Sequence, residues 1–551
     1  MQFQDDCWWK SRIFYQIYPL SFHDSNGDGI GDLQGIRKKL PYIKDLGVGG
    51  IWICPFYQSP LEYDFGYGPA DLYAINPLFG SMDDFEALLD EAHKLDLAVL
   101  LDWAVTNTSI RSKWFLESRS NRTNPKSNWY IWSDGIPNNW VAFGGGGAWH
   151  YCPERNQYYL GLFFPQHAEL NWRNPEVQEA IFNAFEFWMK KGIDGFRMDT
   201  VGTYFKDESL RDNPVTEVDY QSLLDPDDPI QTSRYREYLV PEFLFFDHIH
   251  DCHQPESIEV MRKLRQLAEK HRKDALLIGE TSIDKEMGKQ LCRNGLSTSF
   301  DFTLMNAEWS AVKFREILLR HQEEMQAYHC CFTFSNHDNR RAIARYAGKD
   351  RVESCAKARL LSTLTTTLRG LPVFYYGEEI GLEDVDLKYE ELRDPMSRSC
   401  YHVGIVRETA RGPMRWDDST TCGFTTAQPW MRTYASESGI SVSDQAGKEG
   451  SMLEFYRRLI HLRNNTRVIQ TGEIEFVDNE NDKVLAYRRH DDMNSCLVLL
   501  NFDSEPQSVS RTQLNSRDGS LQQLIASNGE CEIKNKEILL PGFSAVVIEE
   551  Y

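Results

Sequence analysis

Short β-type runs alternate with longer amphipathic stretches along most of the chain. Residues 13–19, 50–53, 98–103, 192–200, 275–281, 297–302, 332–337 and 371–379 make eight candidate strands. Between them lie helical patterns. Across 82–95 the apolar residues Phe85, Leu88, Leu89 and Ala92 recur at helical spacing, and 175–191 reads the same way. Eight strand-then-helix units predict an α/β fold, a closed parallel (β/α)₈ TIM barrel, whose catalytic groups gather at the C-terminal ends of the strands. Asp199, Glu280 and Asp338 all sit at such ends. Three independent salt bridges would have no reason to share one rim.

Two interruptions and a tail complete the pattern. After the third strand, residues 104–170 swell with Asn, Gly, Pro and Trp (PNNW, FGGGG) and read as an inserted domain over the barrel mouth. Loops of this length in a compact fold are usually functional. A second insert, about 383–450, follows the eighth strand and is rich in charge, Ser and Thr. A helix is expected over 451–463, and alternating runs at 483–487, 495–501 and 538–547 then predict a C-terminal antiparallel β-sandwich. The expected domains are therefore 1–103 and 171–465 for the barrel, 104–170 for the inserted domain and 466–551 for the sandwich.

Composition narrows the function. A hydrophobic share of 41% in 551 residues is ample for a large core, and a net charge of −22 argues against nucleic acid or an anionic membrane as partner, since both repel an acidic protein. Twelve cysteines are scattered with no CxxC pair, so neither a zinc site nor a disulfide framework is signalled, and most read as reduced core residues. The N-terminal stretch shows no basic region followed by an apolar one, and no run reaches 18 uninterrupted apolar residues. The default expectation is a cytoplasmic protein. Nothing in the chain specifies an oligomeric state.

Candidate chemistry starts at GFRMDTV, residues 195–201. Strand residues alternate faces, so Arg197 and Asp199 share one, and the guanidinium is expected to lower the Asp199 pKa and keep it ionised, as suits a nucleophile. A buried salt bridge without chemistry is the plain alternative. Glu280, in the apolar-flanked LLIGET, has the surroundings that raise a carboxyl pKa and make an acid/base. Retaining cleavage of a glycosidic bond needs such a pair, about 5 to 5.5 Å apart. Asp338, after His337, could clamp sugar hydroxyls as an oxocarbenium ion forms. Trp103, Trp140, Trp149, Tyr158 and Phe163 could offer rings to sugar faces, although each fits a core equally well. The run DSNGDGIGD, residues 24–32, places oxygen ligands at alternate positions with glycines for a tight wrap, the pattern of a structural Ca²⁺ or Mg²⁺ loop. A cation-free Asp/Gly turn is its alternative.

The runs YQIYPLSFHDSNGDGIGDLQGI, PNNW, GFRMDT, IGET, SNHDN, FYYGEEIG and GPMRWDD resemble the oligo-1,6-glucosidase and maltase branch of the α-amylase family, glycoside hydrolase family 13. The likeness extends from about Trp8 to the C-terminus. It implies a retaining, exo-acting α-glycosidase acting on a small α-glycoside or oligosaccharide, with Asp199 as nucleophile, Glu280 as acid/base and Asp338 as transition-state stabiliser. It also implies that Tyr67, Arg197, His337 and Arg411 line the substrate site, where the ring of Phe163 is a further candidate contact, and that Asp24, Asn26, Asp28, the carbonyl of Ile30 and Asp32 hold the cation. Thr200 is similar to the residue of maltase-type members and leans towards α-1,4 or sucrose-like linkages.

Three departures surround one subsite. The usual GYDxxDY is here Gly66-Tyr67-Gly68-Pro69-Ala70-Asp71-Leu72, so the Asp expected on the glucose 4-hydroxyl is Gly68. The usual DxxxNH ends here in Asn107, replacing the His expected on the 6-hydroxyl, and QPDLN is here HAELN, beginning at His167. Losing the Asp while keeping Arg411 leaves an expected uncompensated guanidinium. A glycone altered or extended at C4 or C6, neutral or anionic and occupying the space at Gly68, would answer it, as would Asp64 or Asp71 swinging in. The competing class is a silent protein, since heavy subunits of animal amino-acid transporters resemble the same branch. A transglycosylase or isomerase of the family is the further alternative.

Overall fold

The computed structural model describes residues 7–60, 65–216, 241–281, 285–324, 330–404, 406–434, 439–514 and 521–550. Eight strands form a closed barrel: β1 (Phe14–Ile17), β2 (Gly50–Ile53), β3 (Ala98–Trp103), β4 (Gly195–Met198), β5 (Leu276–Gly279), β6 (Thr298–Phe300), β7 (Cys330–Phe332) and β8 (Gly370–Tyr375). Each pairs in parallel with the next, and β8 closes on β1 with Phe14 opposite Val373. The strands are buried throughout, as parallel strands covered by helices must be.

The helices α1 (Leu33–Leu46), α2 (Met82–Lys94), α3 (Pro175–Lys191), α4 (Glu256–His271), α5 (Lys285–Asn294), α6 (Ala311–Glu324), α7 (Arg351–Thr367) and α8 (Met452–Asn465) follow the strands. Local chemistry sets their ends. In α2, Ser81 and Asp84 form a capping box, and Phe85, Leu88, Leu89 and Ala92 make the buried face. In α3, Asn174 caps the start by accepting from the Glu176 N–H, Pro175 fixes the first turn, and Gly192 ends the helix at φ +99°.

The seventh strand is a correction. The sequence predicts 332–337, but β7 spans Cys330–Phe332. Side-chain bonds turn the chain beyond it: Thr333 Oγ1 donates to the Ser335 carbonyl at 2.6 Å, and Asn336 Oδ1 accepts from the Asp338 N–H at 2.9 Å. Asn residues compete with a strand ladder in this way, so Asp338 stands on a turn above the rim.

Within 104–170, strand Asn107–Ser109 pairs antiparallel with His167–Glu169, and Trp132–Ser133, Gln157–Leu160 and Trp149–Cys152 form a second small sheet. Its apolar cluster of Trp140, Phe143, Trp149, Leu162 and Phe164 is completed by Phe243, Cys252, Met396 and Cys400 from other loops. Trp140 and Trp149 are thus core residues, and Trp103 is fully buried inside the barrel wall.

C-terminally, five strands (Glu473–Phe476, Val484–His490, Ser495–Asn501, Ser544–Glu550 and Leu521–Ala526) face three (Gln507–Ser510, Glu537–Leu540 and Glu532–Ile533). This is the β-sandwich. Alternation divides its residues: Val484, Ala486, Leu497 and Leu499 fill the interior, while Leu485, Tyr487, Val498 and Leu500 join the barrel's core. The run 538–547, read as one strand, is broken at Pro541, which cannot donate to a ladder, and its halves lie in different sheets.

None of the twelve cysteines is in a disulfide, and nine are buried. No helix among the described residues is long and apolar enough to cross a membrane.

Candidate active site

Strand register builds the centre. Arg197 on β4 lies opposite Asp102 on β3 and Ile278 on β5. Its guanidinium therefore emerges among the carboxyl groups at the ends of three neighbouring strands. Arg197 Nη1 donates to Asp102 Oδ1 at 2.9 Å and to Asp199 Oδ1 at 2.5 Å, while Nη2 donates to Glu280 Oε2 at 2.7 Å. One buried cation thus bridges the two candidate reacting acids.

The residue after Asp199 carries backbone strain with a visible consequence. Thr200 adopts φ +36°, uncommon for a non-glycine and costly for a β-branched one. In that conformation its N–H donates to Glu280 Oε2 at 3.2 Å, and its hydroxyl reaches Asp199 Oδ2 at 3.2 Å.

Burial pushes Glu280 up to about 7, with Asp199 and Asp338 adding to the rise and Arg197 opposing it. The Asp199 expectation is corrected in sign. Burial outweighs Arg197, and Asp102 and Asp338 add to it, so Asp199 rises to about 6. The guanidinium is shared among three carboxylates and compensates each only in part. The order survives: Asp199 ionises before Glu280.

Asp338 is held differently. Burial would raise its carboxyl, but His337, Arg407 and Arg411 together keep it well below the usual range. Arg407 Nη1 lies 2.8 Å and Arg411 Nη2 2.9 Å from Asp338 Oδ1, and His337 Nε2 lies 3.1 Å from Oδ2. Arg407 is also clamped by Asp394 through two bonds of 2.8 Å. Tyr67 stacks on the His337 ring at 5.2 Å, and its hydroxyl meets His337 Nε2 at 2.6 Å and donates to Asp102 Oδ2 at 2.9 Å. Burial lowers the His337 pKa, with Asp338 opposing the shift.

Asp199, Glu280, Asp338, Tyr67, Asn107 and Phe163 share the lining of one cavity of about 800 Å³, part of it open to solvent. Arg407 also lines it, while Arg197, His337 and Arg411 stand behind and hold the carboxyl groups. Tyr158 lies instead against Tyr151.

Arg411 is not left alone, contrary to expectation. Asp338 takes the bond described above, and Arg411 Nε donates to the His337 carbonyl at 2.7 Å. Asp71 accepts from the Tyr73 N–H, and Asp64 lies outside the described residues. The space at Gly68 is also filled, because a Cβ there would sit 2.6 Å from His167 Nε2.

The Asp24–Asp32 loop lies after β1, away from the cavity. Asp24 Oδ1 accepts from the N–H groups of Asn26 (2.9 Å) and Gly27 (2.7 Å), and Oδ2 from Gly29 N–H (2.8 Å) and the Thr425 hydroxyl (2.5 Å). Asn26 Oδ1 accepts from Asp28 N–H, Asp28 Oδ1 from Ile30 N–H and Asp32 Oδ2 from Ser25 N–H.

Asp102, Asp394 and Arg407 were not singled out by sequence reasoning. Asp102 is the last residue but one of β3, and Asp199 follows β4, a signal available from the strand pattern. Arg407 precedes Arg411 by four residues within the second insert, where no periodicity indicates what it faces.

The model of the α-amylase catalytic domain matches residues 16–472. A probable alpha-glucosidase of Rhizobium meliloti (strain 1021) is 35% identical, covering 98% of this chain and 97% of that protein, and an oligo-1,6-glucosidase of Bacillus cereus is 31% identical, covering 92% and 94%. Among solved structures, the alpha-glucosyl transfer enzyme XgtA superposes with a TM-score of 0.90 at 34% identity, covering 99% of each chain. The trehalulose synthase MutB, in a complex of its E254Q mutant with the substrate sucrose, superposes at 0.85 and 30% identity, covering 98% of this chain and 99% of that one. With a family model spanning most of its length and relatives similar from end to end, this chain belongs to the α-amylase family, glycoside hydrolase family 13.

Proposed function

We propose that the protein is a retaining, exo-acting α-glycosidase that acts on small α-glycosides or oligosaccharides. The observation that carries this reading is the guanidinium of Arg197, which bonds Asp199 and Glu280 at once while both line one cavity. A bridge one guanidinium wide suits the short carboxyl separation of a retaining pair. Asp199 attacks the anomeric carbon as the bond to the leaving oxygen breaks, and Glu280 gives that oxygen its proton. Glu280, now ionised, then takes a proton from water as the water oxygen attacks the same carbon and releases Asp199. Asp338, kept ionised by His337, Arg407 and Arg411, steadies the positive charge that develops on the sugar in the transition state of each step. Mass spectrometry of the Glu280→Gln protein mixed with an activated aryl α-glycoside tests this. Mass gain of one glycosyl unit, absent from an Asp199→Asn/Glu280→Gln protein, supports it, and unchanged turnover in Asp199→Asn alone defeats it.

Transfer to a second sugar is supported by the similarity to XgtA and MutB and by the apolar wall of Phe143, Phe163, Phe164 and Met396 in the cavity. Masses of the products from sucrose and maltose separate hydrolysis, transfer and isomerisation. A catalytically silent protein predicts no products from any of them.

The glycone subsite is read as altered along the C4–C6 edge, at Gly68, Asn107 and His167. The Asp24–Asp32 loop offers only oxygen donors (Asp24, Asn26, Asp28, the Ile30 carbonyl and Asp32), which fit Ca²⁺ or Mg²⁺ as a structural ion. Twelve cysteines outside any disulfide favour a reducing, cytoplasmic setting.

A further inference from the structure

Among the described residues, three metal-ligating side chains of different kinds converge on the outer wall of the barrel: Asp301, His321 and Cys330. Strand register explains how. Cys331 on β7 lies opposite Phe300 on β6, and Phe300 packs its ring 5.6 Å from that of Trp52 on β2, a strand that does not neighbour β6. Phe300 and Cys331 therefore face the barrel interior. The Asp301 N–H extends the ladder by donating to the Cys331 carbonyl at 3.1 Å, so alternation sends Asp301 and Cys330 outward, where α6 supplies His321. No CxxC spacing announces the group, because a strand end, a helix and the next strand each give one residue.

His321 Nδ1 lies 2.7 Å from Asp301 Oδ2 and 4.0 Å from Cys330 Sγ, and the three ligand atoms all lie within 4.8 Å of one another. Tetrahedral Zn²⁺, with bonds of about 2.0 Å to nitrogen and oxygen and about 2.3 Å to sulfur, holds N and O about 3.3 Å apart and N and S about 3.6 Å apart. The carboxylate would open from the ring, and the sulfur close on it, by about half an ångström each. Side-chain torsions can supply that. A plain Asp301–His321 ion pair accounts for two of the groups and leaves the placement of the sulfur unexplained.

Neighbours already orient the donors. Thr303 N–H donates to Asp301 Oδ1 at 2.7 Å, which leaves Oδ2 for an ion, and the His321 ring stands edge-on to Phe332 at 5.4 Å. The Asp301 and His321 side chains are each 14% exposed while Cys330 is buried. An ion can therefore enter from solvent, and water can take a fourth position.

We propose that Asp301, His321 and Cys330 bind one zinc-class divalent ion that ties β6, α6 and β7 together. Thiolate and imidazole select such an ion over Ca²⁺ and Mg²⁺, whereas the oxygen donors of the Asp24–Asp32 loop suit the hard ions. As the ion enters, the thiol and Nδ1 protons leave to solvent while Nε2 keeps its own. The site is independent of the glycosidase reading.

The test titrates the full chain with Co²⁺ and then Zn²⁺, in excess Ca²⁺ so that hard-ion sites stay filled. The wild type should bind one Co²⁺ with a thiolate-to-cobalt charge-transfer band that Zn²⁺ abolishes, and Zn²⁺ should raise its thermal midpoint. Cys330→Ser, close in size to the native residue, should lose the band and weaken Zn²⁺ binding more than about a hundredfold, beyond the 10- to 100-fold cost of losing an outer partner. His321→Gln and Asp301→Asn should weaken it too, and Cys531→Ser, remote in the C-terminal sandwich, should change nothing. A wild type without the band, or a band and a Zn²⁺-induced midpoint shift that survive in Cys330→Ser, would overturn the proposal. If His321→Gln or Asp301→Asn fails to fold, Cys330→Ser against Cys531→Ser still decides it.

Discussion

Arg411 Nη2 lies 2.9 Å from Asp338 Oδ1, and the same guanidinium's Nε donates to the His337 carbonyl. Arg407 reaches the same carboxylate oxygen at 2.8 Å. Two cations from the second insert therefore converge on one acid from the turn after β7. Removing the acid takes the carboxylate from Arg411 and leaves Arg407 with Asp394. Asp338→Ala should destabilise the protein by about 3–5 kcal/mol, the cost of breaking a buried ion pair from one side. Asp338→Asn, which keeps the shape and one acceptor oxygen, should cost less while still lowering kcat. Urea unfolding of the three proteins measures the difference, and equal stability of wild type and Asp338→Ala would contradict the arrangement.

The acid order sets the pH profile. Asp199 must be ionised and rises to about 6, while Glu280 must be protonated and rises to about 7. The kcat/KM profile of the free enzyme should be bell-shaped, its acid limb following Asp199 and its alkaline limb Glu280. Glu280→Gln should abolish the alkaline limb on a substrate with an activated leaving group, which needs no proton. An alkaline limb that persists in that variant would assign it to another group.

The same shift makes a stability claim. Glu280 has a folded pKa of about 7 against the ordinary 4.5 of a glutamate carboxyl. Its contribution is fully favourable below about 4.5 and is lost as pH rises through 7. Glu280→Gln should therefore be more stable than wild type at pH 8 by roughly 3 kcal/mol, taking 1.36 kcal/mol per pKa unit. The advantage should vanish near pH 4.5. Thermal unfolding at the two pH values reads it, and a variant less stable than wild type at pH 8 would show that burial does not dominate this site.

What the sequence revealed, and what it hid, follows from range. Strand ends are local, so Asp199 and Glu280 could be placed on the rim from alternation alone, and α3 could be bounded by its own Asn174, Pro175 and Gly192. Long-range facts were hidden. The partner of Arg411 comes from a turn 73 residues earlier, and the imidazole that fills the space at Gly68 comes from a ribbon in the inserted domain. The sign of the Asp199 shift was misjudged because burial is set by the whole barrel, whereas Arg197 is two residues away. Trp140 and Trp149 could have served a sugar or a core, and only packing decided for the core.

The Asp24–Asp32 loop yields the last prediction. Its turns are pinned to the second insert at both ends: Asp24 N–H donates to the Phe424 carbonyl at 2.9 Å, and Trp430 N–H donates to the Gly29 carbonyl at 2.9 Å. The loop therefore ties the start of the barrel to the insert that carries Arg407 and Arg411. A Ca²⁺ or Mg²⁺ ion gathered by its oxygens would stabilise the whole fold by mass action, about 2.7 kcal/mol at a hundredfold excess over Kd. A chelator should lower the thermal midpoint of the wild type and leave that of Asp28→Ala unchanged, the Asp28 carboxylate being exposed and accepting from the Ile30 N–H. At temperatures well below the midpoint, kcat should be unaffected, because the loop stands apart from the cavity. A midpoint indifferent to chelator, with Ca²⁺ and Mg²⁺ both failing to raise it, would leave the loop as a hydrogen-bonded clasp between barrel and insert and remove the ion from the account.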